Sequence, residues 1–362
     1  MPETGKKLAF ILGSYWEQCQ GGAELQAHFL DREAQRQGWS THYFFLSNND
    51  KYRNDSKTIL HPIVRKNLWN KLGNIKYPYA GNLLRALNRL KPDIIYQRSG
   101  MAFTGVAAYY AQKNNCRFIF HVAKENDVQP LFIPWKRFYL IPEFKLMQYG
   151  IRKADIIIAQ TQMQAKKIAK NYGKTAIVIP NGHPVPQDCI KTNAEIIILW
   201  IGNWKPVKQP EIFVRLAGKI RSMKKFRFIM LGRTNKYDEL VVKARRNNIE
   251  VMGEISNDKV NELLENAHIL INTSKHEGFS NTFIQAWMRR VPVISLHVDP
   301  DAILQREGIG YCSGSFIKLI HDTERLIEDN VERENMGARA RKYAIKNHSS
   351  DNMDKILKLM AS

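Results

Sequence analysis

Short runs of β-branched and aromatic residues recur along the chain, each followed by a segment with helical apolar spacing. KLAFIL precedes a glycine-bearing loop and the amphipathic AELQAHFLDREAQRQG; THYFFL, DIIYQR, RFIFHV, DIIIAQT and AIVIPNG follow in turn. A second series then begins with EIIILWIGN and continues through FRFIMLG, IEVMGEI, HILINTS and VPVISL. Continuous apolar strands of about four to six residues, separated by helices, predict parallel strands buried on both faces. Right-handed crossovers then give doubly wound sheets, with ligands at the carboxyl ends of the strands. The expected fold class is α/β, with two Rossmann-like doubly wound domains facing each other across a cleft. The break between the series lies in PNGHPVPQDCIKTNAE, around residues 187–193, giving domains 1–188 and 189–362. The last stretch reads as two helices broken near residues 348–351, candidates for crossing back to the first domain.

Composition narrows the classes. The 362 residues suffice for two domains, each with a core, and a hydrophobic content of 44% excludes a disordered chain. No apolar run reaches the about 18 residues a bilayer span needs. The start, MPETGKKLAFILGSYWEQ, lacks a small-residue cleavage site and reads as a first strand, so a cytoplasmic protein is expected. Cys19, Cys116, Cys189 and Cys312 are far apart and form no metal-spaced pair; reduced, mostly buried thiols are expected.

The net charge of +21 implies an anionic partner: nucleic acid, a membrane surface or phosphorylated ligands. Residues 61–91 carry seven Lys or Arg and no acid, with Trp69, Tyr77 and Tyr79 among them. Residues 131–153 carry five basic residues, one acid and six aromatics. Both stretches fit an anionic membrane surface, and both also fit ordinary amphipathic helices with snorkelling lysines.

Candidate chemistry is densest in the second half. In LWIGNWKPVKQPEIFVRLA, Gly202 permits a close backbone approach, and Lys205 and Lys208 can neutralise phosphate without a metal. FIMLGR ends a strand with Gly232 and places Arg233 beside it. INTSKHEGFSNTFIQAW ends a strand and opens a helix near Ser280, whose first N–H groups, at Phe279, Ser280 and Asn281, make an anion site. Glu277 stays in the preceding loop, and Gln285 follows it by eight residues, inside the helix.

These residues resemble glycosyltransferase family 4, the retaining enzymes of the GT-B fold among the bacterial group 1 glycosyltransferases. The family pattern is glutamate, seven intervening residues, glutamate; EGFSNTFIQAWMRRVPVIS matches the first glutamate, the glycine, the helix start and the proline-valine strand, and departs at Gln285. The resemblance implies that Glu277 lies by the donor sugar and that the residue at Gln285 binds the ribose, where an amide oxygen still accepts one bond. It further implies that Gly21 and Gly22, in QGGAELQAHFL, let the backbone approach the donor phosphate, and that His121, in HVAKENDV, faces the donor sugar. The family's arginine after the glycine opening the second domain is here Asn203, leaving Lys205 or Arg233 to supply that charge.

The resemblance covers nearly the whole chain and implies an acceptor-side first domain and a donor-binding second domain. The expected activity is metal-independent transfer of a sugar, with retention, from a nucleotide-sugar to a glycan or lipid-linked hydroxyl acceptor. Cell-surface polysaccharide or glycolipid synthesis, peripheral at the inner face of the membrane, is the expected setting. No cofactor is expected, since the nucleotide-sugar is a substrate. Blander readings stand beside these: a turn and helix start at Gly21–Gly22, a strand-end histidine at His121, a solvated loop at Lys205 and Lys208. Asp299 and Asp301, in VDPD, look like a metal-binding pair but follow a strand and contain a proline, and Asp301 suits a helix cap. A nucleotide-sugar epimerase of the same architecture is one rival. A basic nucleic-acid-binding protein is another, against which no helix-turn-helix, zinc spacing or RNA-binding aromatic motif occurs; nucleic acid is not expected as a partner.

Overall fold

The computed structural model describes residues 5–18, 21–48, 57–65, 75–129, 135–188, 191 and 195–362. Cys19, Lys66, Trp69, Lys71, Phe132 and Cys189 lie outside these, as do the side chains of Trp135 and Lys136. The chain divides into two compact units: Met1–Gly182 with Ser350–Ser362, and His183–Ser349. The division falls a few residues before the 188/189 boundary read from the sequence.

The first unit holds a seven-stranded sheet. Its strands are β1 (Lys7–Ile11), β2 (Ser40–Ser47), β3 (Ile59–Val64), β4 (Ile94–Arg98), β5 (Arg117–His121), β6 (Ile156–Ala159) and β7 (Ile177–Val178). They run parallel in the order β3-β2-β1-β4-β5-β6-β7. Five helices connect them: α1 (Gly22–Arg36), α2 (Ala80–Leu90), α3 (Ala102–Lys113), α4 (Ile141–Lys153) and α5 (Gln162–Tyr172). The apolar runs are buried because both faces are covered. Ala9 and Ile11 of β1 enter one core with α2, α3 and α4, while Leu8, Phe10 and Leu12 enter the other with α1. This is the two-residue period of a strand expressed in packing.

The second unit repeats the plan with six strands: β8 (Ile196–Ile201), β9 (Phe226–Leu231), β10 (Ile249–Gly253), β11 (Ile269–Asn272), β12 (Val293–Ser295) and β13 (Gly310–Cys312). Their order is β10-β9-β8-β11-β12-β13, all pairs parallel. The helices are α6 (Pro210–Ala217), α7 (Asp238–Arg246), α8 (Asn257–Asn266), α9 (Asn281–Met288), α10 (Ile303–Arg306), α11 (Phe316–Glu328) and α12 (Asn330–His348). Ile197 and Leu199 face one core, and Ile196, Ile198 and Trp200 face the other. The last helix, α13 (Asp351–Ala361), belongs to the first unit, where Met353, Ile356, Leu357 and Met360 join the core that also holds Leu30 and Ala34 of α1.

Two strands were not read from the sequence. Pro62 interrupts the pattern of β3, which is tolerated because β3 is an edge strand. β13 has three residues, too few for a periodic signal. Strand order reverses between β1 and β4 in the first sheet and between β8 and β11 in the second. The loops leaving these strands therefore diverge and leave a crevice in each unit. Cys116 is buried, its thiol pushed up to about 12 by burial, and Cys312 is half-buried.

Candidate functional site

In the second unit, the loops leaving β8 and β11 are sewn together at the point where strand order reverses. Trp200 Nε1 donates to Thr273 Oγ1 at 2.8 Å, and the Thr273 hydroxyl lies 2.7 Å from the Lys208 carbonyl and 3.0 Å from that of Gln209. The Lys275 amide donates to the Val207 carbonyl at 2.8 Å. These ties carry Lys208 to Glu277: Lys208 Nζ donates to Glu277 Oε1, which also accepts from Ser274 Oγ at 2.8 Å. Ser274 is itself held by Asn272, whose Oδ1 accepts the Ser274 amide at 3.1 Å. The pair is largely enclosed, at 25% exposure for the lysine and 14% for the glutamate. Among the described residues, none donates to Glu277 Oε2.

A glycine contact sets the neighbouring wall. Gly232 has φ +122°, and a Cβ there would lie 2.0 Å from the Gly202 carbonyl oxygen. Only glycine lets β9's exit pass so close to the exit of β8. Gly202 itself has room for a Cβ, at 3.5 Å from Trp200. Arg233 grips Glu254 in a bidentate pair at 2.9 and 2.7 Å, which holds that carboxyl below the usual range. Its charge is thus shared within the unit, whereas Lys205 is exposed in the loop before α6.

α9 opens at Ser280, whose hydroxyl pairs with Thr282 Oγ1 at 2.8 Å and does not cap the helix. Asn281 Oδ1 meets His183 Nε2 at 3.2 Å. The Phe279 ring is in the core, 4.9 Å from His348 and 6.2 Å from Trp287, which leaves only its main chain available to a ligand. Gln285 is buried; its Nε2 donates to Asn257 Oδ1 at 2.8 Å and Asn261 Oδ1 at 3.0 Å, fixing α9 to the start of α8. Asp301 does not cap a helix as read from the sequence. Its backbone is left-handed at φ +52°, and Asp299 Oδ1 does the capping by accepting the Leu304 amide at 2.8 Å.

In the first unit, the end of β4 carries a buried guanidinium. Arg98 is 2% exposed and donates through Nη2 to Asn181 Oδ1 at 2.5 Å, with Nη1 3.0 Å from His121 Nδ1. Tyr96 Oη lies 2.8 Å from the same ring nitrogen. His121 has no exposed surface, and burial, with Arg98 beside it, drives its pKa well below the usual value. The ring is therefore neutral and committed to its neighbours. Gly21 and Gly22 open α1, and Glu24 folds back over that opening: a Cβ at Gly21 would lie 2.3 Å from Glu24 Oε2. Burial raises the Glu24 carboxyl, and Ser14 Oγ donates to it at 3.2 Å. Arg98 and Glu24 were not singled out in the sequence; DIIYQR reads only as a strand, and the glutamate of GGAE only as part of a helix start.

Comparisons with known proteins bear on the family and the fold. A family model described as Glycosyltransferase Family 4 matches residues 20–185, and one described as Glycosyl transferases group 1 matches residues 195–329. Among solved structures, the chain is similar to WaaG, a glycosyltransferase involved in lipopolysaccharide biosynthesis: 14% identity, TM-score 0.79, covering 98% of this chain and 99% of that one. It is also similar to Anabaena HepE in complex with UDP-glucose, at 15% identity and TM-score 0.75, covering 98% and 99%. At such identities the likeness is one of fold, and that fold is GT-B. An uncharacterized glycosyltransferase of Methanocaldococcus jannaschii is 26% identical over 155 residues. That match spans 42% of this chain and 42% of the relative's length.

Proposed function

The chain belongs to the group 1 glycosyltransferases of the GT-B fold, and on that premise we propose that it moves a sugar from a nucleotide-sugar to a hydroxyl acceptor with retention of configuration and without a metal. The observation that carries this reading is the Lys208–Glu277 pair at the strand-order reversal of the second sheet, beside the uncapped start of α9. A diphosphate arriving there competes for Lys208 and takes the N–H groups around Ser280 and Asn281. Glu277, relieved of the lysine, accepts bonds from the donor sugar's hydroxyls. Cation and helix dipole then stabilise the leaving diphosphate as charge develops on it.

Gln285 contributes its amide oxygen to the ribose, its nitrogen being held by α8. Gly202 and Gly232 bring the backbone close to the phosphates, with Lys205 as an outlying cation. His121 positions Arg98 in the first unit rather than bonding the sugar directly. Gly21 and Gly22 are open to a phosphate only when Glu24 leaves the α1 opening. The reading needs no cofactor. UDP-glucose, the ligand of the Anabaena neighbour, is the first donor to try.

The acceptor is proposed to be a glycan or lipid-linked hydroxyl in cell-surface polysaccharide or glycolipid synthesis, met at an anionic membrane. Support for the surface comes from Phe138, 70% exposed, beside the exposed Arg137. No helix among the described residues is long and apolar enough to cross a membrane.

The test is a thermal-shift panel of UDP, GDP, ADP and their sugars, followed by mass spectrometry of products with and without a glycan acceptor. A nucleotide-dependent shift with acceptor-dependent transfer is expected. An isomerised sugar released without acceptor would replace the reading by an epimerase, and salt-sensitive DNA binding with no nucleotide shift would replace it by a nucleic-acid-binding protein.

A further inference from the structure

Gln209 has a left-handed backbone, φ +48° and ψ +56°. Other left-handed residues, Lys91 and Arg290 among them, close helices, where such a turn is routine. Gln209 stands in front of one. It is the residue before α6, a position that ordinarily takes an extended backbone. Pro210 follows it, and a proline also pushes the residue before it toward extended conformations. Two local preferences therefore agree, and the structure overrides both with a conformation that glycine favours and glutamine adopts at a cost.

The Gln209 side chain does not impose this turn. It gives α6 no cap, and its Oε1 is buried with no hydrogen-bond partner among the described residues. The backbone imposes it. Thr273, wholly buried, accepts the Trp200 indole N–H on its hydroxyl oxygen and has one proton to give. The carbonyls of Lys208 and Gln209, at 2.7 and 3.0 Å, share that proton. The Val207 carbonyl accepts the Lys275 amide at 2.8 Å, so three successive carbonyls meet the loop that leaves β11. Along an extended chain successive carbonyls alternate in direction, whereas in a helical turn they align. An extended Gln209 would send one of the two carbonyls away from Thr273. A right-handed turn is disfavoured by Pro210. The left-handed turn is what remains.

We propose that Gln209 is a positioning residue for Lys208: its strained turn fixes the lysine's carbonyl on Thr273 and so aims Nζ at Glu277 Oε1 and at the donor's phosphate. This rests on the transferase reading in one respect, that Lys208 binds that phosphate. It adds that the cation is held in place by a backbone conformation. Affinity for the donor then follows what the residue at 209 can adopt rather than the chemistry of its side chain.

The test is calorimetric titration of whichever of UDP, GDP or ADP stabilises wild type into single and double variants at positions 208 and 209. Gln209→Gly takes the left-handed turn without strain and should retain the nucleotide as wild type does. Gln209→Val, whose branched Cβ the left-handed region excludes, should weaken the nucleotide about tenfold, the loss expected of one charge-assisted bond. Lys208→Ala should cost about the same in wild type and in Gln209→Gly, and nothing further in Gln209→Val. A merely structural role would lower the melting temperature without that coupling. If Gln209→Val does not fold, Thr273→Val, which removes the shared hydroxyl, takes its place, with Thr273→Ser as its rescue. Wild-type affinity in Gln209→Val, or an undiminished effect of Lys208→Ala in that background, overturns the inference. So does loss of affinity in Gln209→Gly, which would make the amide side chain a ligand contact. Failure of every nucleotide to bind wild type counts against the donor reading instead, and urea midpoints then decide the positioning role. The losses in Lys208→Ala and Glu277→Gln should be non-additive in wild type and additive in Gln209→Val, and non-additivity that survives in Gln209→Val overturns it.

Discussion

Lys208 Nζ reaches Glu277 Oε1 across the point where the second sheet reverses its strand order. Sixty-nine residues separate the two in sequence, and two ties between the loops bring them together: the Thr273 hydroxyl against the Lys208 and Gln209 carbonyls, and the Lys275 amide on the Val207 carbonyl. On the proposed reading the lysine shifts to the donor's phosphate, and Glu277 keeps Ser274 as a donor.

Glu277→Ala is expected to reduce transfer by about 10²-fold or more, as loss of an electrostatic group at a reacting centre does, while stability falls by only about 1–2 kcal/mol. Lys208→Ala should instead weaken nucleoside diphosphate binding by about tenfold. Product formation by mass spectrometry and calorimetric titration read the two effects. An active Glu277→Ala enzyme at wild-type melting temperature removes the assignment.

Much of this site was legible in the sequence, and the limits have physical causes. EGFSNTFIQAW announces the glutamate and the helix start because both are local. Lys208's partner is not local, and neither is the neutralisation of Arg233, whose Glu254 lies on the loop after β10. Gly232 reads as a close-approach glycine, but the group it approaches, the Gly202 carbonyl, is known only once β8 and β9 pair. Arg98 ends an ordinary strand pattern; its burial depends on the sheet order, which places β4 beside β5 and His121.

Gly232→Ala should destabilise the protein by about 2–4 kcal/mol, from left-handed strain together with the clash at the Gly202 carbonyl. Gly202→Ala should cost far less, since its Cβ meets nothing closer than 3.5 Å. Urea denaturation of both variants checks the contrast, and equal losses would show that the β8–β9 exits relax together.

Gln285→Glu should keep or tighten nucleoside diphosphate binding, by up to about 1 kcal/mol, because a carboxylate accepts ribose hydroxyls more strongly than an amide. The same change removes the donor to Asn257 and Asn261, so melting temperature should fall unless those amides turn to donate. Calorimetry with UDP separates the roles: a large loss of affinity would mean that Gln285 acts on the ligand through its N–H.

Stability should decline in acid through buried imidazoles. His268 Nδ1 accepts the Ile197 amide at 3.1 Å, and burial, with Lys191 and Arg333, lowers its pKa to about 4. His42 is lowered to about 4 as well, by burial and by His61 and Lys7. A folded imidazole with a lowered pKa binds fewer protons than the unfolded chain. Its contribution is therefore complete above about pH 6.5 and is lost as pH falls toward 4. The raised carboxyls of Glu24 and Asp31 act in the opposite sense. Urea midpoints at pH 8, 6 and 5 should fall in that order, and His268→Gln should flatten the decline. An unchanged slope in that variant would remove His268 as its source.

The membrane proposal makes its sharpest prediction at Phe138 and Ile141, exposed at 70% and 38% where the short turn at Trp135–Leu140 meets α4. Arg137 and Lys145 are exposed nearby in sequence, an arrangement of apolar tips among cations that suits the headgroup layer. Each cation near acidic lipid adds roughly 1 kcal/mol, screened by salt, while a buried ring adds a contribution that salt leaves nearly untouched. The two parts can therefore be separated. Arg137→Glu with Lys145→Glu should abolish the salt-sensitive part of co-sedimentation with phosphatidylglycerol vesicles. Phe138→Ser should lower binding at every salt concentration and leave the salt dependence in place. Nucleotide binding, proposed for the second unit, should be unchanged in both. If the charge serves only to gather anionic donor or acceptor, wild type will sediment equally little with neutral and acidic vesicles at low salt, and the surface reading ends there.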